Sequence, residues 1–152
     1  MSLTLRSPKF ADRAELPPEY TADGKDVSPP LTFAGVPAAA KSLALIVDDP
    51  DAPDPAAPKM TWVHWVVYDL PPTTTALAEA AKPPGLVGKN DWKKESYGGP
   101  HPPIGRHRYF FKLYALDTMI GKPGLTKKQL EQAMEGHVLA HAELVGTYQM
   151  KK

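Results

Sequence analysis

The chain of 152 residues contains no cysteine. Disulfide bonds, thiolate nucleophiles and thiolate metal ligands are therefore excluded, and this absence leaves the cellular compartment open. Long apolar runs are also missing, since runs such as residues 43–47 are far too short to span a bilayer. Residues 1–8 have no apolar core of signal-peptide length. The sequence thus predicts a soluble, cytoplasmic domain without a membrane span.

Charge of one sign is not concentrated anywhere. The 18 Lys and Arg and the 17 Asp and Glu are interspersed, and the net charge is +1. Because there is no basic block or stripe, we expect no binding to nucleic acid. No internal repeat or interdomain linker is visible, and the length suits one domain. We therefore expect residues 1–152 to fold as a single unit with its own core.

The common catalytic and cofactor motifs are missing as well. The sequence has no G-x-S-x-G elbow for a serine nucleophile, no phosphate-binding glycine loop and no dinucleotide fingerprint. Covalent catalysis and nucleotide-driven chemistry are therefore unsupported, and no cofactor is predicted.

Proline, by contrast, is abundant: it supplies 18 of the 152 residues, more than twice its usual share of about 5%. The prolines fall between apolar runs, many of them in pairs. This pattern predicts rigid connections between strands and little helix. The expected fold class is mainly β, with two antiparallel sheets.

Apolar periodicity and turn residues place the individual elements. One helix is expected after Thr126, where Gln129 completes a capping-box pattern. Residues 76–82 are predicted to form a turn or two of helix, and residues 138–142 either continue the later helix or begin a strand. Strands are expected at residues 3–5, near residue 33, and at residues 42–48, 62–70, 107–117 and 143–148.

Three carboxylates follow the buried strand at residues 42–48. Asp48, Asp49 and Asp51 lie in a segment stiffened by Pro50 and Pro53. We interpret this segment as a rigid turn just past the end of the strand. A solvated acidic turn is the simpler alternative, although rigid loops after buried strands commonly carry functional groups.

A histidine interrupts the next apolar strand. His64 is predicted to share one face with Trp62, Val66 and Tyr68. Its two ring nitrogens need hydrogen-bond partners in the protein or in a ligand.

A second histidine follows a segment rich in glycine and proline, residues 98–106. His107 and Tyr109 share one face at the start of the strand that begins there. We interpret Pro102 and Pro103 as a stiff lip that presents both side chains at the wall of a pocket.

These polar residues, taken alone, leave three interpretations open. One is an anion site in which His64, His107 and Tyr109 donate hydrogen bonds to phosphate or carboxylate oxygens. Another is a metal site of two histidines and one carboxylate, with His137 and His141 as a weaker metal-binding pair. The third is structural, with buried and unreactive histidines. The anion site fits the residues best.

Five segments resemble the phosphatidylethanolamine-binding protein family, which includes Raf kinase inhibitor protein, and the match is nearest to its bacterial branch. The segments occur in family order at residues 28–31, 47–53, 62–65, 99–109 and 143–148. The D-P-D-x-P and G-x-H-R-Y motifs are the most specific. The resemblance implies two antiparallel sheets in a Greek-key arrangement, short peripheral helices and a small anion pocket near one end.

The resemblance also implies the residues of that pocket. It would take phosphate, an acetate-like anion or a phosphorylated head group, with His107 as the main donor. Its residues would be Asp49, Asp51, Trp62, His64, Pro102, Pro103, His107 and Tyr109.

By the same resemblance, the protein is expected to bind its ligand without catalysis, to regulate a kinase or a protease, and to pair as a homodimer. The chain stops at Lys152 without the C-terminal helix of the animal proteins, so lipid binding is less well supported than anion binding. One alternative is a phosphate-ester hydrolase or metal-assisted enzyme that uses Asp49, His64 and His107. Another is an interaction protein that acts through exposed aromatics such as Trp92.

Overall fold

The structure is a computed structural model that describes residues 2–102 and 104–150. Within these ranges the chain is mainly β, and its strands form two antiparallel sheets, as predicted. A 3₁₀ turn at Pro18–Tyr20 and one α-helix accompany them. The elements are β1 (Thr4–Arg6), β2 (Leu31–Ala34), β3 (Ser42–Ala52), β4 (Met60–Leu70), β5 (Ala76–Leu77), β6 (Leu86–Val87), β7 (His107–Leu116), α1 (Lys127–Met134) and β8 (Val138–Tyr148).

The larger sheet has the strand order β6-β4-β3-β7-β8, and the smaller one has the order β1-β2-β5. An apolar cluster joins the two sheets, with Leu31 and Phe33 from the smaller sheet and Leu45 and Phe111 from the larger one. Helix α1 covers the opposite face of the larger sheet. Strand β3 is therefore buried on both faces, as its continuous apolar run predicts.

Helix α1 begins as its sequence predicts. Thr126 Oγ1 accepts a hydrogen bond from the Gln129 backbone N–H, and the Gln129 side chain accepts one from the Thr126 backbone. Leu130 and Met134 pack against Ile46 on the large sheet. No helix in the described part of the chain is long and apolar enough to cross a membrane.

The structure decides two local predictions of secondary structure, for residues 138–142 and 76–82. Residues 138–142 belong to β8 rather than to the helix. The helical prediction for residues 76–82 is wrong, because Ala76–Leu77 is a short strand that pairs with β2 and buries Leu77. Burial of one leucine at a sheet edge thus outweighs the modest helix preference of an alanine-rich segment.

The acidic segment is not a turn. Strand β3 continues through Ala52, so Asp48, Asp49 and Asp51 lie within it. Asp49 lies opposite Trp62 on β4, whereas Ala52 lies opposite Met60, so β3 has one extra residue there. Such a bulge accommodates a proline that an ideal ladder would reject.

A second irregularity lies in β4 at His64. Val47 pairs with Trp65 and Asp48 with Val63, so His64 is the extra residue of a bulge. The predicted common face of Trp62, His64, Val66 and Tyr68 is therefore wrong. Val66 and Tyr68 join the apolar cluster under α1, whereas the His64 ring contacts Tyr109 on the other face. A bulge reverses the alternation of side chains, which apolar periodicity alone cannot show.

Candidate functional site

Three strand ends meet at one edge of the larger sheet. The C-terminal end of β3 lies between the N-terminal ends of β4 and β7, since both are antiparallel to it. A cavity of about 260 Å³ opens there. Its lining residues are Asp49, Ala52, Pro53, Met60, Trp62, His64, Trp92, His101, Pro102, His107 and Tyr109.

The structure brings most of the predicted site residues to this cavity. Asp51 is not among the lining residues. Its carboxylate instead accepts hydrogen bonds from Arg108, at 2.9 Å from Nη2 and 3.0 Å from Nε. The Arg108 hydrogen bonds lower the pKa of Asp51. Asp51 thus ties β3 to β7 beside the cavity. Pro103 lies outside the described residues.

His107 has partners on both ring nitrogens. Nδ1 lies 2.5 Å from Asp49 Oδ2, and Nε2 donates to the Ile104 carbonyl at 2.7 Å. Burial raises the pKa of Asp49, and the hydrogen bond from His107 partly offsets this rise. The buried pair holds one proton between Nδ1 and Oδ2. The ring is fixed by these bonds, so it has no N–H left for a ligand.

His64 has a partner on one ring nitrogen. Nδ1 lies 2.7 Å from the Gly98 carbonyl oxygen, which can only accept, so Nδ1 carries a hydrogen. Nε2 is buried and has no hydrogen-bond partner among the residues that the structure describes. Burial lowers the pKa of His64 to about 4, so the ring is neutral near pH 7. Its Nε2 is therefore an acceptor.

Two further polar atoms of the cavity wall are buried and have no partner within residues 2–102 and 104–150: Trp62 Nε1 and the Tyr109 hydroxyl. An indole N–H can only donate. Burial raises the pKa of Tyr109, so its hydroxyl keeps its hydrogen and can donate as well. The cavity thus offers two donors and one acceptor.

The loop before β7 holds the aromatic wall of the cavity. The Trp92 ring lies edge-on to His64, with ring centroids 5.2 Å apart, and edge-on to Trp62 at 5.5 Å. The Asn90 side chain closes the loop: its oxygen accepts from the Trp92 and Lys94 backbone, and its Nδ2 donates to Ser96 O at 2.8 Å. A Cβ on Gly98 would lie 2.4 Å from the Trp92 ring, so any other residue there would displace that ring.

The rest of the described chain lacks this combination. A larger groove of about 550 Å³ between β1 and β8 has no buried polar atom without a partner among its described lining residues. No group of three or more His, Cys, Asp or Glu in residues 2–102 and 104–150 could hold a metal ion. His137 and His141 are four residues apart, a spacing that would place them on one face of a helix, but His137 pairs with Asp117 at 2.8 Å and His141 lies on β8.

Comparison with known sequences bears on this geometry. A sequence model of the family described as phosphatidylethanolamine-binding protein matches residues 6–149. The chain belongs to the phosphatidylethanolamine-binding protein family. A UPF0098 protein of Methanothermobacter thermautotrophicus is 49% identical over 153 residues, covering 96% of this chain and 98% of that protein.

Solved structures of the phosphatidylethanolamine-binding protein family share the fold. A putative family homologue from Chlamydia trachomatis superposes with a TM-score of 0.94 at 43% identity, covering 99% of both chains. Escherichia coli YbcL, described as a new member of the mammalian family, superposes with a TM-score of 0.88 at 30% identity. It covers 99% of this chain and 100% of its own.

Within this family member, sequence reasoning missed part of the cavity wall. Trp92 lies in a segment that reads as an ordinary surface loop, residues 88–94. The available signal was an Asn-Asp-Trp run followed by Gly98-Gly99, because glycine is needed where a backbone meets an aromatic ring closely. Met60, the first residue of β4, and His101, in the loop before β7, were missed because neither has a distinctive spacing.

Proposed function

We propose that this protein binds a small oxyanion, of the phosphate or carboxylate type, in the cavity at the ends of β3, β4 and β7, without turning it over. The observation that carries the proposal is the set of three buried polar atoms on this one wall: Trp62 Nε1, His64 Nε2 and the Tyr109 hydroxyl.

Leaving such atoms unpaired is costly. A buried donor or acceptor without a partner costs about 1–3 kcal/mol, and proteins rarely keep several of them in one place without a reason. A ligand oxyanion that accepts from Trp62 and Tyr109 removes two of these penalties at once. Family membership supports a small-ligand site of this kind.

The surrounding residues have supporting roles in the proposal. The Asp49–His107 pair is overall neutral and holds the ends of β3 and β7 together, so it shapes the cavity rather than donating to the ligand. This differs from the expectation that His107 is the main donor, because both of its nitrogens are engaged. Pro102 forms part of the wall.

Removal of the Tyr109 hydroxyl tests the proposal. Isothermal titration of the wild type with inorganic phosphate and with acetate is expected to show binding in the millimolar range or tighter. Tyr109→Phe is expected to weaken phosphate binding about tenfold or more, since a hydrogen bond to a charged group is lost. Tyr114→Phe on the other face of β7 is the matched control and should bind as the wild type does.

Two results would contradict the proposal. The first is a wild-type protein that shows no heat and no chemical-shift change at high millimolar phosphate. The second is hydrolysis of a phosphate ester that survives repurification and disappears in His64→Ala, which would support the hydrolase alternative instead.

Regulation of a protein partner is a finer proposal, and one observation favours it. Met60, Trp92 and Ile104 are large apolar side chains with 39–53% of their area exposed, and the first two also line the cavity. A partner kinase or protease that contacts them would sense the occupied cavity through Trp92. Inhibition assays with purified kinases and proteases test this, and equal inhibition by Trp92→Ala would reject the rim as the contact.

A further inference from the structure

The tautomer of His64 is set by the backbone. Nδ1 donates to the Gly98 carbonyl at 2.7 Å, so the lone pair of the neutral ring lies on Nε2. The imidazole is 3% exposed and its Nε2 has no partner among the described residues. The loop that holds Gly98 also donates the Gly98 N–H to the His64 carbonyl at 3.0 Å, so the backbones of the two residues are linked as well.

Nearby charges do not make His64 cationic. The charge of Asp48, on the helix side of β3, favours the protonated ring, but Lys112 and Lys127 both bind that carboxylate, at 3.1 and 2.6 Å. The other titratable groups around the ring and the cavity are Asp49 on β3, His107 and Tyr109 on β7, and His101 in the loop before β7. Asp49 and His107 compensate each other. Burial therefore prevails and lowers the pKa of His64 to about 4.

The cavity wall thus has a mixed hydrogen-bonding pattern. Trp62 Nε1 and the Tyr109 hydroxyl donate, whereas His64 Nε2 accepts. A ligand that presents only lone pairs would satisfy the two donors and leave an oxygen facing the His64 lone pair. A ligand that also carries a hydroxyl would satisfy all three atoms.

We propose that His64 makes this cavity selective for phosphate species that carry a hydroxyl, namely inorganic phosphate and the monoanion of a phosphomonoester, over sulfate and phosphodiesters. The inference rests on the proposed function and names its ligand class. Sites built to bond a ligand hydroxyl reject analogues that lack it, because the site's own polar group is then left unpaired.

The number of protons in the complex is fixed, wherever the shared proton lies. If it stays on the ligand, the P–OH donates to Nε2. If it moves to Nε2, the imidazolium donates to the phosphoryl oxygen. In both cases the complex holds one proton more than the free neutral site and a fully deprotonated ligand.

A ligand series tests the inference on the full chain. Titrations at fixed ionic strength would use inorganic phosphate, sulfate and phosphoethanolamine between pH 5.5 and 8.5. Phosphate is expected to bind at least tenfold more tightly than sulfate at pH 7. A phosphomonoester loses its last proton at about pH 6. Above that pH, the affinity for phosphoethanolamine is expected to fall, approaching a tenfold loss per pH unit. Sulfate should gain affinity only as the pH falls towards that of His64 protonation.

The outcomes separate the two proposals. Equal affinity for phosphate and sulfate at pH 7 would leave the anion site in place and overturn the role of His64. No binding of either ion would overturn the proposed function itself.

A variant pair and a spectroscopic readout sharpen the result. His64→Phe keeps an aromatic ring but has no lone pair, so the ratio of its affinities for phosphate and sulfate should approach one. His141→Phe on β8 should keep the wild-type ratio of affinities. Nitrogen-15 spectra of the wild-type imidazole should show a hydrogen on Nδ1 and a lone pair on Nε2 without ligand. If His64→Phe does not fold, these spectra and the wild-type ligand series decide the question, and a protonated Nε2 at pH 7 without ligand would overturn the inference.

Discussion

Two adjacent carboxylates of β3, Asp48 and Asp49, lie on opposite faces of the large sheet and have different kinds of partner. Asp48 points to the face covered by α1, where Lys112 and Lys127 both bind its Oδ2. Asp49 points to the cavity face, where its side-chain partner is His107 and its Oδ1 accepts a hydrogen bond from the Asp51 backbone N–H at 2.7 Å. Both side chains are almost fully buried. One backbone step on β3 therefore separates an ion cluster that holds the helix from a neutral pair beside a cavity.

The difference lies in what remains unpaired around each carboxylate. In the described part of the chain, the helix face has one buried atom without a partner, Asp48 Oδ1, and it belongs to a carboxylate already compensated by two cations. On the cavity face three polar atoms from three residues remain. We infer that the helix face is arranged for stability and the cavity face for a ligand. The two faces should then respond to substitution with opposite signs.

The largest effect is expected on the helix face. Asp48→Ala removes the shared partner of Lys112 and Lys127 and should lower the free energy of unfolding by about 3 kcal/mol, because breaking a buried ion pair leaves charge uncompensated. Urea denaturation measures this loss. Phosphate affinity of the folded variant should change little, since Asp48 is not among the cavity-lining residues.

Arg108→Ala is the matched comparison for this variant, since its guanidinium pairs with Asp51 but is about half exposed. Arg108→Ala should lower the free energy of unfolding by clearly less than Asp48→Ala does. A larger loss for Arg108→Ala would remove the distinction between the buried cluster and its exposed counterpart.

A smaller effect is expected from pH on the cavity face. The folded-state pKa of His64 is lowered to about 4 from 6.5 by burial, so the unfolded chain binds more protons between these values. Stability should therefore fall as the pH drops below 6.5 and level off near 4. The loss from this group is about 2 kcal/mol between pH 7 and pH 5.

The His64→Phe variant isolates this contribution. Its stability should depend less on pH in the same window, by the amount assigned to His64. Asp49, whose pKa is raised by burial, contributes with the opposite sign to both proteins and cancels in the difference. Parallel stability curves for the two proteins from pH 7 to pH 5 would show that His64 is not buried as a neutral ring.

The comparison of faces also shows what the sequence could predict. The continuous apolar run of β3 and the alternation of β7 place His107 and Tyr109 correctly on the core side. The capping box of Thr126 predicts the start of α1. These features depend on the local sequence pattern and on burial, which the apolar periodicity of a sequence predicts directly.

The bulges could not be predicted in this way. One extra residue at His64 moves its ring from the helix side to the cavity side, and another near Pro50 lets β3 run through the acidic segment. Both depend on pairing between strands distant along the chain. The engagement of both His107 nitrogens likewise follows from tertiary contacts with Asp49 and Ile104. Residue identities predicted the cavity, whereas the hydrogen-bond role of each histidine needed the structure.

The smallest predicted effect has the opposite sign to that on the helix face. Tyr109→Phe removes a buried hydroxyl that has no partner, so the ligand-free protein should gain about 1 kcal/mol of stability. Tyr148→Phe is the control, because that residue is also buried but its hydroxyl donates to Asp23 at 2.7 Å, so its removal should destabilise by a similar amount. Thermal unfolding with and without phosphate measures both. Phosphate should raise the melting temperature of Tyr148→Phe but hardly that of Tyr109→Phe, since a ligand stabilises the native state appreciably only where its concentration exceeds the Kd. A Tyr109→Phe protein that is less stable than the wild type would mean that the hydroxyl has a structural partner, and the cavity face would then resemble the helix face.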